Sequence, residues 1–366
     1  MRFISSQEEF SRFLQIVSRA LASKSTVPVL NGILLKTKEN SLNCVATDLE
    51  IALEVTIHKV EIIEPGAAIV PGKTFVDIIK HLPATEIEVF YDETTKNMHI
   101  TCQDSSYQLP TLPLEEFPVL PVMEEGLKIQ IKAEQLREAI RQTIFATTAD
   151  DSKPYLTGIF FELTDNQTTL VATDVSRLAI KKIQTNKENN KGSALIPVRA
   201  MREIMNIFTN TEIEPLQITL TEKLIFISSA GINFSSRLIA AQFPAYTQVI
   251  PKEFNGIIQV KRTELIEALE RTVVVSSLIR FKITSEKIII NAKEPDKGRS
   301  HEEIKNYYDG KEMEIGFNAK FLLEFLRVIE SESVEIKVVH EQRPVVFQGD
   351  HDSSYLYVVM PLKLAI

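Results

Sequence analysis

Apolar residues recur at helical spacing in short segments, and these segments are separated by strand-like runs. Phe10, Phe13, Leu14, Val17 and Leu21 fall on one face of a predicted helix near the start of the chain. The following runs, such as GILLKT and LNCVATD, are rich in Ile, Val, Leu and Thr, which is typical of strands. Because helices and strands are mixed without strict alternation, the pattern predicts an antiparallel α+β fold.

This helix-and-strand pattern occurs three times. The first helix returns with apolar faces at Leu136, Ala139 and Ile140, and then at Leu265, Ile266 and Leu269. A second helix is predicted in each unit around residues 75–82, 200–208 and 319–329. Further strands, such as EIEVFY, LQITLT and VEIKVV, close the units.

A sequence repeat supports this division. The tetrapeptide VATD occurs twice, and its aspartates, Asp48 and Asp174, are 126 residues apart. Three other pairs share that spacing: Gly32 with Gly158, Gly66 with Gly192, and Phe117-Pro118 with Phe243-Pro244. The third copy is fainter. We therefore expect three tandem similar domains, each with two helices packed on antiparallel sheets, at residues 1–125, 126–252 and 253–366.

Composition indicates an ordinary globular protein. Of the 366 residues, 44% are hydrophobic and 25% charged, which is enough apolar material for sizeable cores. Cys44 and Cys102 lie in apolar, strand-like runs, which predicts buried reduced thiols. The N-terminus lacks the apolar region of a signal peptide, and no apolar run is long enough to cross a bilayer, so we expect a cytoplasmic protein without membrane contact. The net charge of −8 argues against nucleic-acid binding unless a basic surface coexists with an acidic remainder.

Signatures of catalysis are weak. Gly72-Lys73-Thr74 resembles the end of a phosphate-binding loop, but Ala67 stands where the first glycine is required and Pro71 removes a backbone donor. The six histidines have no ligand spacing, so we expect neither a metal nor another cofactor. Asp48 and Asp174 are most simply strand terminators. These observations leave open an enzyme with a site at a domain junction and an interaction scaffold that does not bind DNA.

Specific motifs indicate which protein family the chain resembles. The chain contains VATD-x-x-x-L-A, then SRLI-x-x-x-FP-x-Y-x-x-V-x-P, and near its end YVVMPLKL. With the triple repeat, these motifs resemble the bacterial DNA polymerase III beta subunit, the sliding clamp, over essentially the whole chain. The resemblance implies a non-catalytic processivity factor for DNA replication. Two chains would form a head-to-tail homodimeric ring that encircles duplex DNA without reading its sequence and slides along it.

The resemblance also implies site residues. Basic residues on the helices, with one tyrosine, would face DNA: Lys24, Lys73, Lys80, Arg137, Arg141, Tyr155, Arg199 and Arg202. A hydrophobic pocket between the second and third domains would bind short motifs of the polymerase III alpha subunit, the clamp loader, other polymerases and repair proteins. Its matching positions are Leu156, Thr173, Val175, Ser176, Arg177, Leu178, Pro244, Gln248, Val249, Asn318, Phe321, Val358, Val359, Met360, Pro361 and Leu362.

The dimer seam would join the first domain of one chain to the third domain of the other. Val274 and Val275 are expected to meet residues around Phe75 and Ile79.

Some positions depart from the family pattern. Val175-Ser176 replaces the common Gly/Ser-His, and Gln248 stands where Arg is frequent. These changes lead to the hypothesis of a divergent or second-copy clamp with altered partner affinity.

Overall fold

The computed structural model describes residues 1–22, 25–185, 191–209 and 215–363. By contacts, the chain divides into two compact units. Unit 1 contains Met1–Ala133 and Arg202–Leu238, and unit 2 contains Glu134–Met201 and Ile239–Ile366. The predicted middle domain is therefore shared between the two units. The boundaries near residues 125 and 252 stay predictions.

Six helices form within the described residues, two in each predicted domain. They are α1 (Gln7–Val17), α2 (Gly72–His81), α3 (Ala133–Thr143), α4 (Val198–Ile207), α5 (Arg262–Val273) and α6 (Ala319–Val328). The predicted apolar face of α1 is confirmed, since Phe10, Phe13, Leu14 and Val17 are buried. Leu21 was placed wrongly, because it follows the short 3₁₀ turn Ser18–Ala20 in an extended conformation.

The strands follow the same order in each predicted domain: one strand, a helix, a meander, a second helix and a second meander. Domain 1 contains β1 (Arg2–Ser6), β2 (Gly32–Lys38), β3 (Ser41–Thr47), β4 (Ile51–Ile57), β5 (Val60–Glu64), β6 (Ala67–Pro71), β7 (Glu86–Asp92), β8 (Asn97–Cys102) and β9 (Ser105–Pro110). Domain 2 contains β10 (Leu127–Ile131), β11 (Gly158–Thr164), β12 (Gln167–Thr173), β13 (Arg177–Gln184), β14 (Gly192–Pro197), β15 (Leu216–Leu220), β16 (Leu224–Ser229) and β17 (Ile232–Arg237). Domain 3 contains β18 (Gly256–Lys261), β19 (Leu278–Ile283), β20 (Lys287–Glu294), β21 (Gly298–Lys305), β22 (Tyr307–Tyr308), β23 (Met313–Asn318), β24 (Ser333–Val338), β25 (Val345–Gly349) and β26 (Tyr355–Val359).

Each unit contains two antiparallel sheets. In unit 1 the strand orders are β5-β1-β7-β8-β9 and β10-β15-β16-β17-β4-β3-β2-β6. In unit 2 they are β14-β11-β12-β13-β26-β25-β24-β18-β22 and β21-β20-β19-β23. The triple repeat and the α+β class predicted from the sequence are confirmed.

Two equivalent strand pairings build the large sheets. In unit 1 the last strand of the second repeat, β17, pairs with β4, and Ser236 lies opposite Ile51. In unit 2 the last strand of the third repeat, β26, pairs with β13, and Val359 lies opposite Arg177. Within the described residues, the corresponding strands β9 and β21 have a partner on one side only. The same joint, a strand pairing between consecutive repeats, thus occurs twice in the chain. At the equivalent position, β9 of the first repeat and β21 of the third repeat each keep an unpaired edge in the described part of the chain.

The interiors of the units are apolar and rich in aromatic contacts. In unit 1, Phe10 packs edge-on against both Phe3 and Phe75. In unit 2, Phe325 stacks on Tyr357 with ring centroids 5.1 Å apart. Cys44 and Cys102 are buried free thiols, as predicted. Burial raises the pKa of the Cys44 thiol well above its ordinary value, which keeps it protonated.

Candidate functional site

The second VATD segment forms a tight turn between β12 and β13. The Asp174 carboxylate accepts hydrogen bonds from the backbone N–H groups of Ser176 and Arg177, both at 3.0 Å. The Thr173 hydroxyl donates to the Arg177 carbonyl at 2.6 Å and accepts from the Val175 N–H at 3.1 Å. The chain therefore reverses at Val175, which has a φ of 81°. Asp174 terminates a strand, as predicted.

This turn forms one wall of a groove in unit 2. We call it the second-repeat groove, and its volume is about 180 Å³. Its lining consists of Tyr155, Leu156, Thr173, Val175, Arg177, Leu178, Pro244, Ala245, Tyr246, Val249, Val358 and Met360. Nine of these residues were predicted for the partner pocket, and the structure brings them together. Tyr155, predicted to face DNA, also lies here.

The groove has a buried floor and an exposed apolar rim. Leu156, Leu178 and Val358 are at most 4% exposed and belong to the floor. Val175 and Val249 at the rim are 67% and 49% exposed. An apolar cleft with exposed aliphatic edges is suited to bind an apolar side chain of a short peptide.

Arg177 is the charged residue of the floor, and it is held from several sides. Its side chain is 8% exposed, and it donates to the carboxylates of Asp174 and Glu324 and to the Phe145 carbonyl. The guanidinium also lies 4.2 Å from the centre of the Phe321 ring. With its donors satisfied within the chain, Arg177 serves as a fixed part of the floor.

Arg177 and Tyr246 each stay in one protonation state. Burial alone would lower the pKa of Arg177, but contacts with Tyr357 and Glu324 raise it above its ordinary value, so the guanidinium stays charged. Burial, followed by the hydrogen bond to Glu162, raises the pKa of Tyr246. The Tyr246 hydroxyl is therefore neutral at physiological pH and donates to the Glu162 carboxylate at 2.7 Å.

Seven predicted pocket residues lie outside the lining: Ser176, Gln248, Asn318, Phe321, Val359, Pro361 and Leu362. Several of them have supporting contacts. Phe321 packs under Arg177, the Asn318 side chain caps the start of α6 by accepting from the Lys320 N–H, and Val359 is fully buried. The Ser176 carbonyl accepts from the Met360 N–H at 2.9 Å, which extends the pairing of β13 with β26.

Six of the eight predicted DNA-facing residues lie on helix surfaces. Lys73 and Lys80 are exposed on α2, two turns apart on one face, with exposed Asp77 between them. Arg199 and Arg202 are exposed on α4. On α3, Arg137 and Arg141 are half-buried, and Arg141 lies 3.8 Å from the Glu330 carboxylate. Lys24 lies outside the described residues.

The predicted seam residues differ in exposure. Val274 is 72% exposed and Val275 is half-buried, both just after α5. Phe75 and Ile79 are fully buried in unit 1. Their burial argues against direct contact of either side chain with a second chain, because both already belong to the core of the unit.

Metal and membrane sites are not indicated in the part of the chain that the structure describes. No cluster of three or more His, Cys, Asp or Glu side chains there is arranged to hold a metal ion. None of the described helices combines the length and the apolar character that crossing a membrane requires.

Sequence reasoning missed three contributors to the groove. Ala245 and Tyr246 line it and belong to the FPAY block, so the motif itself was the signal. Glu324 on α6 anchors Arg177 from 147 residues away along the chain, and no local pattern indicated that pairing.

Family comparisons cover nearly the whole chain. Residues 1–121 match the N-terminal domain of the DNA polymerase III beta subunit, residues 130–245 its central domain, and residues 247–363 its C-terminal domain. The three matched ranges follow one another in the order of the three repeats.

Individual relatives agree with these matches. The chain is 28% identical to the beta sliding clamp of Staphylococcus epidermidis, with 99% of each chain covered. The crystal structure of the DNA polymerase III beta subunit of Thermotoga maritima is 30% identical, with a TM-score of 0.93 and full coverage of both chains. That of Pseudomonas aeruginosa is 28% identical, with a TM-score of 0.96 and full coverage.

Proposed function

The chain belongs to the DNA polymerase III beta subunit family, and from this premise we propose that it is a non-catalytic processivity factor that encircles duplex DNA as a head-to-tail homodimer. The ring slides on DNA and tethers the replicative polymerase and other partners. Relatives named beta sliding clamp support this function over the alternative of an enzyme.

One observation carries the proposal: the joint between repeats occurs twice within the chain, and the first and third repeats each keep one strand edge that could form it again. Strand β17 pairs with β4 and β26 pairs with β13, while β9 and β21 each have an open side within the described residues. An open strand edge is a template for pairing with another chain. Pairing β9 of one chain with β21 of a second would repeat the same joint and close a two-chain ring.

The basic helix faces are suited to weak contacts with DNA. Lys73, Lys80, Arg199 and Arg202 have exposed side chains that can approach phosphates. Phosphate contacts do not depend on base sequence, so such a surface allows sliding. The Asp77 carboxylate between the two lysines of α2 limits the strength of binding there.

The second-repeat groove is proposed as the docking site for motifs of the polymerase III alpha subunit, the clamp loader, other polymerases and repair proteins. Its apolar rim supports this role. The departure most able to alter peptide preference is Val175, which lines the groove, whereas Ser176 and Gln248 do not. The hypothesis of a divergent clamp with altered partner affinity thus depends mainly on Val175.

Oligomeric state tests the ring. By sedimentation, the wild-type protein is expected at twice its chain mass of 41.4 kDa. A Val274→Asp/Val275→Asp variant is expected to be monomeric, because desolvating two carboxylates at an apolar seam is unfavourable. Ile257→Asp, at a 44% exposed position outside the seam, is the control. A wild-type monomer, or an unchanged dimer in the double variant, would refute the proposed seam.

Peptide binding tests the groove. A fluorescein-labelled clamp-binding peptide of the relatives is expected to bind the wild type and to bind Val249→Asp at least tenfold more weakly, since a rim carboxylate would be desolvated. Ile257→Asp again serves as the control. Equal binding by Val249→Asp and wild type would exclude the groove as the docking site.

A further inference from the structure

Unit 1 contains a second groove at the equivalent place in the repeat. We call it the first-repeat groove, and its volume is about 520 Å³. Seven residues of its lining correspond, at the spacing of 126 residues, to lining residues of the second-repeat groove. Among them are Leu49 for Val175, Ile51 for Arg177 and Leu120 for Tyr246. The two grooves are thus repeat copies of one site.

The backbone of the two sites agrees in detail. The Asp48 carboxylate accepts from the Glu50 and Ile51 N–H groups at 3.0 and 2.8 Å, as Asp174 does one repeat later. Leu49 has a φ of 77°, close to that of Val175. The Arg237 N–H donates to the Glu50 carbonyl at 3.0 Å, which reproduces the bond from Met360 to Ser176.

The lining chemistry differs between the copies. Where the second-repeat groove has buried Arg177, the first-repeat groove has Ile51, which is 2% exposed. Where the former has Val358 on β26 and Met360 directly after that strand, the latter has Ser235 and Arg237 on β17. The floor is therefore aliphatic, and charge is moved from the floor to the rim.

The rim carries unmatched positive charge. Lys223 and Arg237 both line the groove and are exposed. Neither side chain has an ion pair or hydrogen bond with any other described residue, so both are available to a ligand. Glu50 contributes one negative charge, which leaves the rim net positive. Val119, 94% exposed, adds an apolar edge.

We propose that the first-repeat groove is a second docking site, which binds a short extended peptide of a partner protein with an apolar side chain next to a carboxylate. The apolar side chain lies over Ile51 and against Val119, and the carboxylate pairs with Lys223 or Arg237. This inference rests on the proposed function, since the equivalent groove is proposed there to bind peptides. Charge complementarity with the rim selects an acidic segment over a basic one.

The test uses two fluorescein-labelled hexapeptides in fluorescence anisotropy, one of sequence Asp-Leu-Leu-Phe-Glu-Gly and one with both acidic residues replaced by lysine. To isolate the first-repeat groove, binding is measured in the full-length Val249→Asp protein. The acidic peptide is expected to bind one site per chain, and the lysine peptide at least tenfold more weakly. A further Val119→Asp or Lys223→Glu/Arg237→Glu change is expected to weaken the acidic peptide at least tenfold.

Val122→Asp is the matched control, because Val122 is 78% exposed and lies outside the groove lining. Equal loss in Val119→Asp and Val122→Asp, equal binding of the two peptides, or no binding at all would overturn the proposal. Dimerisation lost in Val119→Asp without a change in peptide binding would instead assign the groove to a second copy of the chain. The outcome is separable from the proposed function, which the wild-type response to Val249→Asp and the oligomeric state test independently.

Discussion

The two grooves share a backbone design and differ in where they place charge. In the second-repeat groove a cation, Arg177, is buried in the floor and neutralised by Asp174 and Glu324. In the first-repeat groove the floor position is Ile51, and the cations Lys223 and Arg237 lie on the rim without partners in the described residues. A duplicated turn can therefore preserve a cleft while its side chains change where the cleft carries charge.

The difference also has energetic consequences. A buried guanidinium with satisfied donors fixes the surrounding side chains, but each of its partners depends on it. A buried aliphatic floor has no such dependence, and loses only packing when it is shortened. The second-repeat groove should accordingly be the more sensitive of the two to single substitutions.

The largest expected effect comes from removing the buried cation. Arg177→Ala should lower the free energy of unfolding by about 3 kcal/mol, because Glu324, Asp174 and the Phe145 carbonyl lose their common donor. Ile51→Val, at the matched position of unit 1, should cost about 1 kcal/mol. Urea denaturation followed by circular dichroism measures both values. A loss of stability in Arg177→Ala no greater than that in Ile51→Val would contradict the expected difference in sensitivity between the two grooves.

Alkaline pH should also affect the stability of unit 2 more than that of unit 1. Burial raises the pKa of Tyr246, Tyr355 and Tyr357, all in unit 2. A raised folded-state pKa contributes stability below the ordinary tyrosine value of 10.0, and this stability is lost as pH rises above it. Tyrosinate absorbance should therefore show a late fraction that ionises together with unfolding of unit 2. Ionisation of all eight tyrosines near pH 10 with an unchanged circular dichroism spectrum would exclude this.

A smaller effect concerns the strained turn residues. Val175 has a φ of 81°, where β-branched side chains are disfavoured, so Val175→Gly should stabilise the protein by about 1 kcal/mol. Leu49→Gly, at the equivalent turn, should gain less, since leucine is not β-branched. Thermal denaturation of both variants gives the comparison. Destabilisation by Val175→Gly would show that the Val175 side chain stabilises the groove more than its backbone strain costs.

An effect no larger than that of Val175→Gly is expected at Tyr246. Tyr246→Phe removes the hydrogen bond to Glu162 and should cost about 1 kcal/mol. Because Tyr246 lines only the second-repeat groove, binding at the first-repeat groove should not change. The matched change there is Leu120→Ala. Urea denaturation measures the loss of stability, and anisotropy with the acidic hexapeptide measures binding at the first-repeat groove. Weakened binding there in Tyr246→Phe would argue against independent sites.

Local sequence patterns predicted the elements well. The spacing of Phe10, Phe13, Leu14 and Val17 identified α1, and the repeated aspartates Asp48 and Asp174 were correctly read as strand terminators. Both depend on neighbours in sequence. The constant spacing of 126 residues likewise located the first two repeats, and the fainter match of the predicted helices located the third.

Long-range features were less accessible. The pairing of Arg177 with Glu324 and the burial of Phe75 and Ile79 depend on tertiary packing that periodicity does not encode. The first-repeat groove was missed although its residues stood at the repeat spacing. Its lining combines one turn with a strand of the next repeat, and that pairing of β4 with β17 became visible only in the fold.

Retention on DNA tests the central claim, that two chains close around a double helix. The protein would be loaded by the clamp loader of the same organism onto a nicked circular plasmid, and the bound fraction followed before and after the plasmid is cut once. The ring predicts long retention on the circle and rapid loss from the linear form, since sliding off an end needs no opening. Equal dissociation from circular and linear DNA would contradict encirclement.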